Sequence, residues 1–296
     1  MPQAKPLEIR ELHKSFGGVV ALRGVSFDID CGEVFGYLGP NGAGKTTTLR
    51  IVLDLVRANR GEVRIFGQPA SRAVARNRLG FLPGDLHLYG DMTANETLDF
   101  FARFRPGSPP ILRHSLAKEL DLDQATLRRR IKFLSHGTRQ KVGLIAAMQH
   151  DPPLLLLDEP SNGLDPLVQL ALRDIIQGFA SRGRAVLMSS HILSDVEAVC
   201  RRVAIIRDGE IVAAETNENL RQKVVRKMTL RFRGEAPALA GLDGVGRIET
   251  NGRNVVLWVR GDLNPVLRRL AQAEVEEMVF REPELEDIFL SYYQSA

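Results

Sequence analysis

Apolar and polar residues alternate along the first part of the chain. The alternation runs from residue 7 to residue 38 and is interrupted by glycine-containing turns at 17–18 and 31–32. Such a period of two predicts several β-strands, the last of them over EVFGYL (33–38). The apolar spacing then predicts a helix over about 44–56, followed by short strands over 61–67 and 78–83.

From about residue 93 to residue 150 the apolar spacing becomes helical. Thr93 and Glu96 have the spacing of a capping box, in which side chain and backbone exchange hydrogen bonds at the start of a helix. Ser135 stands where a helix N-cap is expected. The region is predicted to contain a helix from Thr93, two short helices within 111–120 and 123–130, and another helix after Ser135.

The continuous apolar run LLLLD (154–158) is typical of a strand buried on both faces of a parallel sheet. Helices over about 166–180 and 192–200, a strand over 184–190 and a hairpin at Asp208-Gly209 are predicted to follow. Strands that alternate with helices indicate an α/β fold with a parallel sheet.

After about residue 220 the pattern changes to strand, short helix, strand, strand, helix, strand. The first, short helix is predicted over APALAGL (236–242), and a turn is predicted at Asn251-Gly252. This order of elements indicates a ferredoxin-like module. We therefore predict two domains, residues 1–220 and a small α+β domain over 221–296 that ends in a helix over PELEDIFLSYY (283–293).

Composition sets limits on the kind of protein. The chain has 296 residues, 44% of them hydrophobic, and a net charge of +4, which is too small an excess to indicate a nucleic-acid partner. Two distant cysteines indicate a reducing compartment rather than a disulfide framework. The N-terminus lacks the apolar core of a signal peptide, and no apolar run approaches the ~20 residues that span a bilayer. We expect a cytosolic protein whose spanning helices, if it works at a membrane, belong to a partner.

The stretch GPNGAGKTT (39–47) matches the phosphate-binding pattern G-x-x-x-x-G-K-[ST] between a predicted strand and a predicted helix. Glycines let the backbone N–H groups surround phosphate oxygens, and the helix N-terminus adds a positive dipole end. Lys45 is the expected cation for the β- and γ-phosphates, and the Thr46 hydroxyl the expected Mg²⁺ ligand. The residues predicted to bind nucleotide here are Gly39, Asn41, Gly42, Gly44, Lys45, Thr46 and Thr47.

Three polar residues follow two other predicted strands. Asp158 ends the buried strand LLLLD, where doubly wound sheets bind ligands, and is expected to hold Mg²⁺ through a water molecule. Glu159 comes next and is predicted to be the general base that polarises the attacking water. His191 follows the strand ending in LMSS and could contact the γ-phosphate.

Together these motifs resemble the ATP-binding subunit of ABC transporters. The resemblance covers roughly residues 7–220 and adds LSHGTRQK (134–141), similar to the family's signature loop, and SNGLDP (161–166), whose Asp165 matches its dimer loop. It implies a P-loop NTPase fold with a RecA-like parallel core, an antiparallel β subdomain and a helical subdomain at about 85–150. A P-loop kinase or GTPase would have no use for this combination.

The resemblance also implies site residues and partners. Phe16 would stack on adenine with Val20 beside it, although a phenylalanine of the core is the alternative. Ser135 and Gly137 would contact the γ-phosphate of ATP bound to a second copy, in a head-to-tail homodimer. Integral membrane subunits would be the further partners, on the inner face of the cell membrane.

Residues 221–296 resemble the small domain of ATPases from ABC-2 type and daunorubicin-type drug-resistance exporters, which implies export of drugs, lipids or other hydrophobic compounds. A soluble ABC-type ATPase in translation or DNA repair is the alternative function. Such chains usually carry two cassettes, a long coiled-coil insertion or a zinc insertion, none of which this sequence shows.

Two departures from the family pattern stand out. Gly84 occupies a position that usually carries Gln or Glu, and Asp85 is the adjacent carboxylate that could replace it. His136 and Thr138 are unusual in the signature loop, and His136 is expected to be exposed. The surface over 84–104 is the candidate for docking a membrane subunit. It contains Phe100, Phe101 and Phe104, for at least two of which core packing is expected.

Overall fold

The computed structural model describes residues 4–105, 107–219 and 225–280. They fall into two units, one within 1–191 and 195–214 and the other within 192–194 and 215–296. The domain boundary after residue 220 is a prediction that lies outside the described residues, as does the helix over 283–293. Each unit has a buried apolar core of its own.

The described part of residues 4–219 forms two sheets. The strands are β1 (Leu7–Phe16), β2 (Val19–Ile29), β3 (Val34–Leu38), β4 (Arg60–Ile65), β5 (Gln68–Pro69), β6 (Leu79–Leu82), β7 (Leu154–Asp158), β8 (Ala185–Ser190), β9 (Arg202–Arg207) and β10 (Glu210–Thr216). The order β2-β1-β4-β5 makes an antiparallel sheet, and β10-β9-β3-β8-β7-β6 makes the central sheet. In the latter, β9, β3, β8, β7 and β6 run parallel.

The helices of the same region are α1 (Lys45–Val52), α2 (Ala73–Arg76), α3 (Ala94–Arg103), α4 (Arg113–Glu119), α5 (Gln124–Leu127), α6 (His136–Met148), α7 (Pro166–Ser181) and α8 (Leu193–Val199), with a 3₁₀ turn at Ile131–Phe133. The capping box at α3 is confirmed, because Thr93 Oγ1 accepts from Glu96 N at 3.1 Å and Glu96 Oε2 from Thr93 N at 2.7 Å. Ser135 caps α6 as predicted.

The topology of the central sheet brings the predicted site residues to one edge. Strands β3, β7 and β8 are buried along their whole length, as predicted for the apolar run of β7. They lie side by side, with Leu38 opposite Ser190 and Asp158 opposite Ser189. Because parallel strands end at the same edge, the loops after β3, β7 and β8 converge there.

The expectation of core packing for at least two of Phe100, Phe101 and Phe104, at the end of α3, is wrong. Phe100 contacts Phe101 and Phe104 edge-on, with ring centroids 5.5 and 4.9 Å apart, and Tyr89 at 5.4 Å. None of the three is fully buried, and Phe104 is 67% exposed. The aromatic side chains form a surface cluster because α3 buries a different face, that of Ala94, Thr97 and Leu98.

The described residues of the C-terminal unit form an antiparallel sheet and a helix: β11 (Val225–Phe232), β12 (Val245–Asn251), β13 (Asn254–Arg260), α9 (Asn264–Leu270) and β14 (Val275–Phe280). The strand order is β12-β13-β11-β14, the ferredoxin-like arrangement. The short helix predicted over 236–242 is wrong. Pro237 lacks an amide donor and Gly241 has φ +77°, so the segment is irregular, although it still buries Leu239.

Candidate functional site

A cavity of about 540 Å³ opens at the carboxyl edge of the central sheet. It is bounded by the loop after β3, the first turn of α1, the end of β7 and the segment after β6. Its lining is Pro40, Asn41, Gly42, Gly44, Lys45, Thr46, Thr47, Arg50, Leu55, Phe81, Pro83, Gly84, Asp85, Asp158 and Glu159. Most of the predicted phosphate-binding residues and both predicted carboxylates therefore lie around one cavity.

Glycine is required at two positions of the phosphate loop (residues 39–47). A Cβ on Gly39 would lie 2.4 Å from the carbonyl oxygen of Ile206. Gly44, directly before α1, has φ +113°, and a Cβ there would lie 2.8 Å from the carbonyl oxygen of Ala21. The loop can therefore hold its backbone against β2 and β9 only without these side chains.

Lys45 is a buried cation, only 6% exposed. Its ammonium donates to the carbonyl oxygens of Gly39 at 2.5 Å and Pro40 at 3.2 Å, and it lies 3.3 Å from Glu159 Oε1. Three acceptors converge on the ammonium and offset the loss of its hydration. Nearby, burial raises the pKa of Tyr37 above its ordinary value, and its neutral hydroxyl pairs with Thr48 Oγ1 at 3.1 Å, which fastens α1 to β3.

Asp158 is 2% exposed and has a partner on each carboxylate oxygen. Thr46 Oγ1 donates to Oδ2 at 2.9 Å, and Ser189 Oγ donates to Oδ1. The hydroxyl of α1 and the carboxylate of β7 are thus brought together across 112 residues of sequence, as predicted. Two hard oxygen ligands side by side suit Mg²⁺, which takes few protein ligands and completes its shell with water and phosphate.

Both the backbone and the carboxylate of Glu159 are held by neighbouring residues. Its φ is +50°, in the left-handed region, and its N–H donates to both the carbonyl oxygen and the hydroxyl of Ser189 at 3.2 Å. Its Oε2 lies 2.8 Å from His191 Nδ1, whereas the buried Oε1 accepts no hydrogen bond among the described residues and has only the ion pair with Lys45. The carboxylate therefore lies between the loop cation and the histidine.

Phe16 and Val20 lie away from the cavity lining. Both are on the antiparallel sheet, Phe16 at the end of β1 and Val20 in β2, and they are exposed by 47% and 41%. The Lys14 ammonium lies 4.7 Å from the centroid of the Phe16 ring. The alternative of a core phenylalanine is therefore wrong, and an exposed ring of this kind can stack on a planar base.

Among the residues that the structure describes, those that line the cavity do not include Ser135 or Gly137. Ser135 accepts from Thr138 N at 3.1 Å at the start of α6, and Asp165 accepts from Val168 N at 3.1 Å at the start of α7. A Cβ on Gly137 would lie 2.5 Å from the Gly163 carbonyl oxygen. The signature loop (134–141) and the loop 161–165 are therefore in contact with each other, and both remain outside the phosphate cavity.

His136 is exposed, as expected, and its ring lies over Gly163, where a Cβ would meet Cδ2 at 2.2 Å.

Gly84 is the second position at which the sequence departs from the family pattern. A Cβ on Gly84 would lie 3.3 Å from the Asp158 carboxylate. Asp85 lines the same cavity, but its side chain is 87% exposed and pairs with His87 at 3.4 Å. The glycine thus leaves the cavity open beside Asp158.

Sequence reasoning missed Ser189, which contacts both acidic residues, and the cavity residues Arg50, Leu55 and Phe81. It also missed Gln140, whose buried amide donates to the carbonyl oxygen of Pro160 at 3.2 Å. A signal for Ser189 is present, since two hydroxyl residues end the otherwise apolar run AVLMSS. Buried polar residues at a strand end need partners, and the partners of Ser189 are the Asp158 carboxylate and the Glu159 N–H.

Neither a membrane-spanning helix nor a metal cluster of protein ligands is present in the described residues. No helix there is long and apolar enough to cross a bilayer. No group of three or more His, Cys, Asp or Glu side chains is arranged around a common point in the same residues.

The fold and the phosphate loop define a P-loop nucleoside triphosphatase of the doubly wound α/β class. Residues 22–162 match the protein family described as ABC transporter. Two relatives are 33% identical over nearly the whole chain. The chain therefore belongs to the ATP-binding subunits of ABC transporters, and its enzymatic activity is that of an ATPase.

The relatives include the Nod factor export ATP-binding protein I of Paraburkholderia xenovorans (strain LB400), 33% identical over 98% of this chain and 97% of that protein. The uncharacterized ABC transporter ATP-binding protein YhcH of Bacillus subtilis (strain 168) is 33% identical over 96% of this chain and 94% of its own length. A solved ATP-binding subunit of an ABC transporter superposes with a TM-score of 0.68 at 30% identity and covers 73% of this chain and 92% of its own.

A dimeric ATP-binding cassette in a post-hydrolysis state, bound to ADP and Pi, superposes with a TM-score of 0.63 over 71% of this chain and 98% of its own. At 23% identity this likeness supports the fold alone. The predicted fold class and family are confirmed.

Proposed function

We propose that this chain powers export across a membrane by binding ATP at the phosphate loop and hydrolysing it with Glu159 as the general base. One observation carries the catalytic assignment. The Glu159 carboxylate lies 3.3 Å from the buried Lys45 ammonium and 2.8 Å from His191, beside the Thr46–Asp158 pair. A base placed where cation, hydroxyl and second carboxylate converge can polarise a water directed at a terminal phosphate.

Each neighbour has a distinct role in this proposal. Backbone N–H groups of the phosphate loop and the Lys45 ammonium hold the triphosphate. His191 orients Glu159 through its Nδ1 contact with Oε2. Thr46 and Asp158 would hold Mg²⁺, Asp158 through a water molecule. When bound, the ion neutralises negative charge on the phosphate oxygens.

Contacts to adenine and contacts from a second subunit complete the proposed nucleotide site. Adenine stacks on the exposed face of Phe16 beside Val20. Ser135 and Gly137 contact the γ-phosphate of ATP held by another copy, with Asp165 in the loop beside them, in a head-to-tail homodimer. Support comes from the position of the α6 N-terminus, an anion-binding element, outside the chain's own phosphate cavity.

Export as the direction of transport is supported by relatives named as Nod factor export ATP-binding proteins that match the chain over nearly all its length, including the C-terminal unit. The proposed cargo is a drug, a lipid or another hydrophobic compound, carried by a separate integral membrane subunit. This chain would lie on the cytoplasmic side, peripheral on the inner face of the membrane.

A groove in the helical part of the first unit is the proposed docking surface for that subunit. A cavity of about 600 Å³ lies there, lined by Tyr89, Gly90, Asp91, Met92, Glu96, Asp99, Phe100 and Arg103. The aromatic cluster of α3 borders it, and Tyr89 and Phe104 expose 60% and 67% of their surfaces. Exposed aromatic side chains around a groove suit the apolar face of a short helix.

Purification of the full chain from detergent-solubilised membranes of its own organism tests the proposal. We expect a polytopic membrane protein to co-purify in near equal amount. The Tyr89→Ala and Phe104→Ala substitutions should each reduce its recovery, because they remove exposed docking surface at little cost to the fold. Val74→Ala is the control, since Val74 is 63% exposed on α2, away from the groove lining.

Recovery of a ribosome, a DNA-repair complex or no partner would contradict the export function and favour a soluble ABC-type ATPase. Equal recovery with the three alanine variants would leave the export function intact and reject the groove as the docking surface.

A further inference from the structure

Ser189 is a fully buried polar residue at the catalytic edge of the central sheet. It is the penultimate residue of β8, lies opposite Asp158 in the parallel ladder, and has no exposed surface. A hydroxyl in such a place costs free energy unless it is hydrogen-bonded. Its partners therefore reveal what it does.

The hydroxyl of Ser189 contacts both acidic residues of the site. It donates its proton to Oδ1 of Asp158, and it accepts from the N–H of Glu159 at 3.2 Å. The carbonyl oxygen of Ser189 accepts from the same N–H, also at 3.2 Å. One side chain thus connects the carboxylate of Asp158 to the backbone of Glu159.

The contact with Asp158 determines which oxygen faces the phosphate loop. With Oδ1 held by Ser189, only Oδ2 is directed at Thr46 Oγ1, at 2.9 Å. The final side-chain torsion of an aspartate is broad, so without a donor on Oδ1 the carboxylate could rotate. Ser189 removes that freedom and fixes Oδ2 at the position where it would serve the metal.

The contact with Glu159 supports an unfavourable backbone conformation. A glutamate at φ +50° is in the left-handed region, which persists only where surrounding contacts impose it. Both acceptors of its N–H come from Ser189. The same residue therefore also determines the direction in which the Glu159 side chain leaves the strand end.

We propose that Ser189 is a positioning residue that aims Asp158 at Mg²⁺ and supports the placement of Glu159. The proposal rests on the function argued above, because it assumes that Thr46 and Asp158 hold the ion. It predicts that loss of the hydroxyl weakens the contribution of Mg²⁺ to ATP binding and leaves the Mg²⁺-independent part unchanged.

The test measures nucleotide affinity in the full chain carrying Glu159→Gln, so that turnover does not interfere. ATP binding is titrated with Mg²⁺ and with EDTA, and the spectrum of bound Mn²⁺–ATP is recorded by electron paramagnetic resonance. We expect Ser189→Ala to reduce the gain in affinity from Mg²⁺ by about tenfold, the effect typical of lost outer-shell partners, and to alter the Mn²⁺ spectrum. The affinity in EDTA should stay the same.

Two further variants separate positioning from folding. Ser189→Thr keeps the hydroxyl and should restore the Mg²⁺ effect. Ser189→Cys is close in size to serine but a weak hydrogen-bond donor, so its gain in ATP affinity from Mg²⁺ should lie between those of the parent and the alanine variant. If the alanine chain does not fold, the cysteine variant takes its place in the comparison. Thermal unfolding of each variant checks that the comparison is made on folded protein.

Three outcomes would overturn the proposal. An alanine variant with the parent's Mg²⁺ effect and Mn²⁺ spectrum would show that the hydroxyl does not orient Asp158. Equal losses in the alanine and threonine variants would assign the effect to packing. If Mg²⁺ does not raise the ATP affinity of the parent chain, the proposed metal site itself is wrong. This result is distinguishable from a failure of the Ser189 proposal, because it is seen before Ser189 is changed.

Discussion

At the scale of single residues, Glu159 is held by backbone and side-chain contacts together. Its left-handed backbone is supported by Ser189, and its carboxylate lies between Lys45 and His191. The position of the proposed base therefore depends on residues of α1, of β8 and of the loop that follows β8.

Glu159→Gln should lower ATP turnover by at least about a hundredfold, since an amide cannot accept a proton from water. ATP binding should persist, because the phosphate loop and Lys45 are unchanged. Phosphate release and equilibrium ATP binding are the two measurements. Glu119→Gln on the exposed end of α4 is the control for loss of one negative charge. Substantial residual hydrolysis in the Glu159 variant would assign the base to another group.

The sequence predicts the residues whose chemistry is tied to a local motif. Lys45, Thr46, Asp158 and Glu159 follow from short patterns at strand ends, and the structure places all four around one cavity. The role of Ser189 could not be inferred in the same way, because its partners depend on which strand lies next to β8. Strand order is a long-range property that no local pattern contains.

At the scale of elements, the helix starts are set by local chemistry. Four helices begin with a side chain that accepts a hydrogen bond from a backbone N–H in the first helical turn. These residues are Thr93, Asp123, Ser135 and Asp165, at the starts of α3, α5, α6 and α7. Each such residue replaces a partner that the first turn of a helix cannot supply. This is why helix starts agree with prediction better than the segment 236–242 does.

Thr93→Ala should destabilise the first unit by about 1 kcal/mol, because α3 loses its capping hydrogen bond. Thr93→Ser keeps the hydroxyl and should behave like the parent chain. The free energy of unfolding from denaturant titration is the measurement, with the signal taken from the first unit. Equal stability of the alanine and serine variants would show that the capping box contributes little here.

At the scale of the whole molecule, the ATP site proposed for this family needs two chains. The described residues of one chain bring phosphate loop, carboxylates and His191 together, but not Ser135 or Gly137. The predicted parallel core accounts for the first group, since all its members follow strands of one sheet. No pattern within one chain could predict where a second chain places its signature loop. The predicted contact of Ser135 and Gly137 with the ATP of a second copy therefore rests on the resemblance to ABC transporter subunits.

The dimer can be tested at Ser135 with a pair of variants that differ only in charge. Aspartate and asparagine are both good N-caps, so Ser135→Asp and Ser135→Asn should both preserve α6. In a head-to-tail dimer, however, the aspartate would face the γ-phosphate of the other subunit, and like charges at short range repel. In the Glu159→Gln background, light scattering with ATP should show dimers for Ser135→Asn and monomers for Ser135→Asp, while both bind ATP. If both variants form dimers, Ser135 does not face the nucleotide of the second subunit. If the Glu159→Gln chain without a change at Ser135 stays monomeric with ATP, the isolated protein does not dimerise on binding ATP.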